Sequence, residues 1–203
     1  MGTAFKENTE ITSFEELQNF TGLTSIANNA FYNCTALSNI SLPESVTEIG
    51  EMAFRGSSLL NCDLVLSNIT TIKPGAFYGT KLRSVILPDI VTVSGAYGEG
   101  YRTFGSCANL EYVLFGKKVR SIAPYIFSGS HKNVMIVLAT TPPTFGGDSF
   151  DYGGSVQSIY VPDESETTYE SATNWSRYAS KILPISQLAT DNPTLYEEVK
   201  DYL

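Results

Sequence analysis

Few residues in this chain could carry covalent chemistry, and their placement argues against it. His131 is the sole histidine, so a Ser-His-Asp or Cys-His arrangement would have to run through it. It stands in the connection Ser128-Gly129-Ser130-His131-Lys132-Asn133 with no nucleophile elbow beside it, and reads as a surface-loop residue. The carboxylates scatter over the chain without a pair set into one apolar cleft, as acid and base catalysis requires. Gly146-Gly147-Asp148-Ser149-Phe150-Asp151 is similar to a calcium-binding nonapeptide. It occurs once, whereas such sites need adjacent copies to complete their coordination, so turn chemistry is the expected role. Gly95-Ala96-Tyr97-Gly98-Glu99-Gly100-Tyr101 is glycine-rich but acidic and is followed by no Lys-Ser or Lys-Thr, so it cannot cradle a phosphate. No catalytic residue, cofactor or metal is expected.

The elements that position these residues follow from a repeat. Phenylalanine recurs at Phe31, Phe54, Phe77, Phe104, Phe127 and Phe150, at intervals of 23, 23, 27, 23 and 23 residues. A period of this length marks a solenoid, a stack of equivalent turns that no single turn could stabilise alone. Five residues before the phenylalanine stands Ile26, Ile49, Ile72, Ile122 or Phe145, and three residues after it a small one, Cys34, Ser57, Thr80, Cys107 or Ser130. An alternating run then reads as one strand per turn: Ile40-Ser41-Leu42, Leu64-Val65-Leu66, Val85-Ile86-Leu87, Val113-Leu114-Phe115, Ile136-Val137-Leu138 and Ile159-Tyr160-Val161. Pro43, Pro88 and Pro162 follow three of these runs, where a missing donor ends the ladder.

The repeat also decides the cysteines. Cys34 and Cys107 share one rung three turns apart, roughly 14 Å at about 4.8 Å per strand, beyond the roughly 7 Å that a disulfide spans. Both should be free and buried, and Cys62, at a strand entry, should pack in the same way.

The block Leu-x-x-Ile-x-Leu-Pro-x-x-Val-Thr-x-Ile-Gly-x-x-Ala-Phe, from Leu37 to Phe54, resembles the BspA-like leucine-rich repeat family of bacterial surface proteins. The resemblance covers about residues 21 to 183, and Ile159-Tyr160-Val161-Pro162 with Tyr169, Trp175, Tyr178 and Ile182 looks like that family's closing turn. It implies an α/β repeat solenoid of leucine-rich-repeat type, a right-handed superhelix with a parallel sheet on one face and short helical or irregular segments on the other. It further implies a secreted or surface-anchored protein, its signal or anchor segment removed, with a role in adhesion or protein binding and no catalytic residues. The organisation expected over 1–203 is one solenoid domain, with an N-terminal cap over 1–25, about six repeats over 26–162, and a C-terminal cap and terminal helix over 163–203.

Two departures from regularity are candidate recognition sites. The middle residues of the strand runs form the column Ser41, Val65, Ile86, Leu114, Val137, Tyr160, expected to face outward, with Tyr112 and Met135 in a neighbouring outward column. Such an apolar stripe exceeds what β-propensity requires. Either it meets a partner or a second copy of the chain, or the chain tolerates it or covers it with its own terminal segment. The other departure is the insertion from Ser94 to Thr103, with Tyr97, Tyr101 and Arg102 among glycines. Aromatic residues with arginine make typical contact anchors, and the alternative is a neutral length variant.

The ends read as caps. Ser13-Phe14-Glu15-Glu16 fits a capping box with Leu17 on the inner side. Asn192-Pro193 opens an amphipathic helix to Leu203 bearing Leu195, Val199 and Tyr202. A net charge of -8, without clustered Lys and Arg, disfavours nucleic acid, and no apolar run is long enough to insert in a membrane. The partners left are an extracellular protein or glycan, or a second copy through self-association.

Overall fold

The computed structural model describes residues 2–59, 63–96, 98, 100–130, 133–146 and 156–203. Cys62, Tyr97, His131 and the segment from Gly147 to Asp151, Phe150 included, lie outside the described residues.

Successive turns stack into two parallel ladders of six strands each among the described residues. The narrow ladder holds β2 (Ser25–Ile26), β4 (Glu48–Ile49), β6 (Thr71–Ile72), β8 (Thr92–Val93), β10 (Ser121–Ile122) and β12 (Thr144–Phe145). The broad ladder holds β5 (Asp63–Val65), β7 (Ser84–Leu87), β9 (Tyr112–Phe115), β11 (Asn133–Val137), β13 (Val156–Val161) and β14 (Ile182–Pro184). Ahead of the broad ladder, β1 (Ser13–Phe14) pairs with β3 (Asn39–Ile40). Register sets Ile26, Ile49, Ile72, Val93, Ile122 and Phe145 on one inward rung, all buried.

The side expected to be helical or irregular thus carries the narrow ladder and, beyond it, the phenylalanine turns. These turns are hydrogen-bonded too. Phe31 N–H donates to Ala53 O (2.7 Å), Phe54 to Ala76 O (2.8 Å), Phe77 to Thr103 O (3.0 Å) and Phe104 to Ile126 O (2.7 Å). Left-handed residues flank the phenylalanine two positions before and after it, at Asn29 and Asn33, Met52 and Gly56, Gly75 and Gly79, and Tyr125 and Gly129. The turns approach so closely that a Cβ on Gly116 would collide with the Pro88 carbonyl.

Inside, the phenylalanine rings form one column. Centroids lie 5.2 Å apart for Phe31–Phe54, 5.3 Å for Phe54–Phe77, and 5.7 Å for both Phe77–Phe104 and Phe104–Phe127. Phe5 extends the column, stacked on Phe31 at 5.4 Å. The other end is closed by Phe145 on Trp175 (4.4 Å), with Trp175 Nε1 donating to Pro143 O (2.9 Å) and the Tyr169 hydroxyl to Ala139 O (2.7 Å). Tyr169 belongs to helix α1 (Glu166–Ser171).

The caps differ in part from expectation. Ser13 caps no helix: pairing with Asn39 holds it extended, and the turn Glu15–Asn19 is a 3-10 helix without a side-chain cap. Leu17 is buried as expected. At the other end, α2 (Leu188–Asp191) precedes α3 (Pro193–Val199), and a 3-10 turn follows over Lys200–Tyr202. Asn192 caps α3, its Oδ1 accepting from Leu195 N–H at 3.1 Å.

Candidate recognition site

The apolar stripe is real, but its membership and exposure differ from the sequence reading. Val65, Ile86, Leu114, Ile136, Tyr160 and Leu183 share one rung across the broad ladder. Met135 and Val137 do not belong to the outward columns. They pair with Val113 and Phe115 and are buried in the solenoid core. A repeat of 23 places Ile136 opposite Val113, whereas β11 runs one residue ahead of that rhythm, with a register shift at Asn133/Val134. A slip of one residue turns every side chain to the other face.

Nor is the stripe a free surface. Ile86, Tyr112, Leu114, Ile136, Leu138 and Tyr160 form a second apolar cluster with Leu188 of α2 and Leu195 and Val199 of α3. The terminal segment therefore covers the face, and Ile86, Tyr112, Leu114 and Tyr160 are buried beneath it. Arg83 reaches Glu198 at 3.2 Å and Glu111 at 3.3 Å. The Tyr160 hydroxyl donates to Asp191 (3.0 Å), and burial together with that carboxylate pushes its pKa up to about 12. Of the stripe residues named from sequence, Val65 is 40% exposed and Ser41 half-buried.

The insertion leads to a different surface. Its base is closed by Thr103 Oγ1 donating to Ser94 O, and within it Ala96 N–H donates to Tyr101 O at 3.3 Å. Tyr101 is exposed and Arg102 half-buried. The loop lies against a column that sequence reasoning missed, formed by the residue directly after the phenylalanine in successive turns: Lys6, Tyr32, Arg55 and Tyr78. Backbone bonds hold these rungs in line, with Asn33 N–H donating to Arg55 O (2.7 Å) and Gly56 N–H to Tyr78 O (2.9 Å). The Arg55 guanidinium lies over two rings, 5.7 Å from the Tyr32 centre and 5.0 Å from that of Tyr78, and Lys6 Nζ sits 5.4 Å from the Tyr32 centre. The periodic signal was there to read, as cationic and aromatic types alternate at this position.

Glycine makes room for this column. Gly100 in the insertion has φ +90°, and a Cβ there would overlap the Arg55 guanidinium. On the next rung Gly105 has no side chain, and Arg102 fills the space: a Cβ on Gly105 would stand 2.7 Å from Arg102 Cβ and 3.2 Å from the Tyr78 ring.

The small-residue rung proves to be a polar one. Ser57 Oγ donates to Phe31 O (2.6 Å), Ser130 Oγ to Phe104 O (2.5 Å), Cys107 Sγ to Phe77 O (3.1 Å) and Cys34 Sγ to Phe5 O (2.8 Å). Each ties its turn to a carbonyl of the preceding one, buried or partly buried. Both cysteines are free and buried, and burial raises both pKa values, that of Cys107 to about 11. An unfolded thiol ionises near 9.0, whereas native Cys107 holds its proton to about 11. The contribution is thus complete below about pH 9 and falls away as the pH rises toward 11, by up to about 3 kcal/mol. Urea midpoints measured across this range should fall more steeply for the wild type than for Cys107→Ser, which keeps a donor but does not titrate.

A groove of about 370 Å³ lies between Lys117–Arg120 and Ala139–Thr144. Two of its cations are engaged, Lys118 with Asp89 and Lys117 with Leu203 O. Among the described residues no three His, Cys, Asp or Glu side chains could hold a metal ion, and no helix is long and apolar enough to cross a membrane.

Stacked parallel ladders, a phenylalanine column and capped ends define a leucine-rich-repeat solenoid. The chain belongs to the BspA type leucine rich repeat region family, whose model matches in six copies over residues 2–98 and 100–189. That family consists of interaction modules that are generally non-enzymatic and typically belong to bacterial cell-surface or secreted proteins. No curated protein matches the chain.

Proposed function

We propose that the chain is a non-catalytic recognition module that works outside the cell, binding a protein or glycan through an exposed solenoid face. The observation that carries this reading is the division of its surface. The apolar stripe, on which self-association would rest, is occupied by α2 and α3, while the edge formed by Tyr32, Arg55, Tyr78, Tyr101 and Arg102 is open to solvent in part or in full. A solenoid suits this task because its turns hold side chains at a fixed pitch on a rigid scaffold. The test is a panel of extracellular-matrix proteins and glycans offered to the whole chain, with product analysis of every ligand retained. Saturable binding of at least one, recovered chemically unchanged, is expected. Turnover of a ligand, or no binding across the panel, would contradict the reading.

A further inference from the structure

We infer that the N-terminal end of the solenoid is a strand-addition site, and that its occupant is an extended apolar segment flanked by lysine or arginine, supplied by another protein. This surface is separate from the side edge that holds Arg55 and goes beyond the recognition reading above.

The inference starts from backbone donors. Along the narrow ladder, successive strands are tied to the one before by N–H groups at the same two positions. Thr47 and Gly50 donate to Thr24 O and Ile26 O at 2.9 and 2.8 Å, Thr70 and Lys73 to Thr47 O and Ile49 O at 2.9 Å each, and Val91 and Ser94 to Thr70 O and Ile72 O at 3.0 and 2.9 Å. The equivalent groups of β2 are Thr24 N–H and Ala27 N–H, and neither has an acceptor among the described residues. β2 is the outermost strand of its ladder. It therefore presents two donors at the spacing that an added parallel strand satisfies through its carbonyls.

The packing agrees. Of the eight partly buried apolar residues that pack against the core among the described residues, five belong to the first two turns: Phe5, Ile11, Phe14, Leu23 and Ala27. Phe20, edge-on to Phe14, is 54% exposed. At the far end Tyr169 and Trp175 are buried and close the core. Open donors beside apolar side chains suit an added strand, whose main chain supplies affinity and whose alternate side chains supply specificity. The repeat defines that strand: it offers carbonyls two residues apart with an apolar residue at the second, as Thr24-Ser25-Ile26 offers them to β4.

Charge decides the source. The terminal turn carries Glu7, Glu10, Glu15 and Glu16 against Lys6, all exposed, and Glu10 and Glu16 form no ion pair among the described residues. A second copy presenting the same end would set like charges against each other, whereas basic flanks meet opposite ones.

The experiment titrates the whole chain with a peptide that copies Leu23 to Asn28 between paired lysines, read by fluorescence anisotropy of the peptide and amide exchange of the chain. In the free chain the Thr24 and Ala27 amides should exchange rapidly, and saturating peptide should protect both. Replacing the peptide's isoleucine by aspartate should abolish binding, and glutamate flanks in place of lysine should weaken it by about tenfold or more. The double variant Glu10→Lys with Glu16→Lys, both at exposed positions that leave the core untouched, should reverse the flank preference. No saturable binding, equal binding of the two flank types, or binding that leaves Thr24 and Ala27 unprotected would overturn the proposal. So would protection of these amides that grows with the concentration of the chain alone, since the occupant would then be a second copy.

Discussion

Replacing Phe77 with alanine is expected to lower the stability of the solenoid by about 3 to 5 kcal/mol, the range for emptying a fully buried aromatic site. Phe77 is 0% exposed and stacks on Phe54 at 5.3 Å and on Phe104 at 5.7 Å. Its loss removes contacts on both sides, and neighbouring turns cannot close the gap because backbone bonds on three sides fix their separation. Phe5, half-buried at the end of the column, provides the comparison. Phe5→Ala should cost clearly less, since one face of its ring has a partner in the column and the end turn is free to relax. Urea denaturation of both variants measures the difference. Equal costs would mean that the column does not act as a stack of nearest-neighbour interfaces.

The second large effect lies under α3. Val199→Asp combined with Leu195→Asp would bury two unpaired carboxylates against Leu114, Ile136 and Tyr160. Burying a charge costs several kcal/mol, more than so short a segment can retain, because a helix of this length is marginal in water without packing. The segment should therefore detach while the solenoid stays folded. The expected signs are a large rise in binding of a hydrophobic dye, concentration-dependent association through the bared stripe, and a near-unchanged main unfolding transition. Loss of the main transition as well would show that α2 and α3 are integral to the solenoid core.

The two outcomes correspond to two apolar clusters with different legibility in sequence. The solenoid core was readable because every turn repeats the same inward types, from Ile26 to Phe145 on the narrow ladder and from Phe31 to Phe127 in the column. Phe5 escaped because it stands 26 residues before Phe31, off the rhythm used to find the others. A strict 23-residue period puts Met135 and Val137 on the wrong face for the converse reason. The rhythm was extended through β11, where an early strand start and a longer following loop cancel over the whole turn but not within it. A period counts residues per turn and is blind to how they divide between strand and loop. The cover over the stripe had a local signal, Asn192-Pro193 ahead of Leu195 and Val199, but whether that helix returns to its own sheet depends on long-range packing. The candidate edge was legible in principle, since Lys6, Tyr32, Arg55 and Tyr78 each follow a phenylalanine.

That recognition must use an edge other than the stripe depends on the stripe being closed within one molecule, and backbone hydrogen exchange of α3 measures this most directly. Docked on the sheet, the amides of Tyr196 to Val199 should be strongly protected, to the same degree at low and high protein concentration. Exchange at free-chain rates, or protection that grows with concentration, would contradict the account and return Ile86, Tyr112, Leu114 and Tyr160 to the surface.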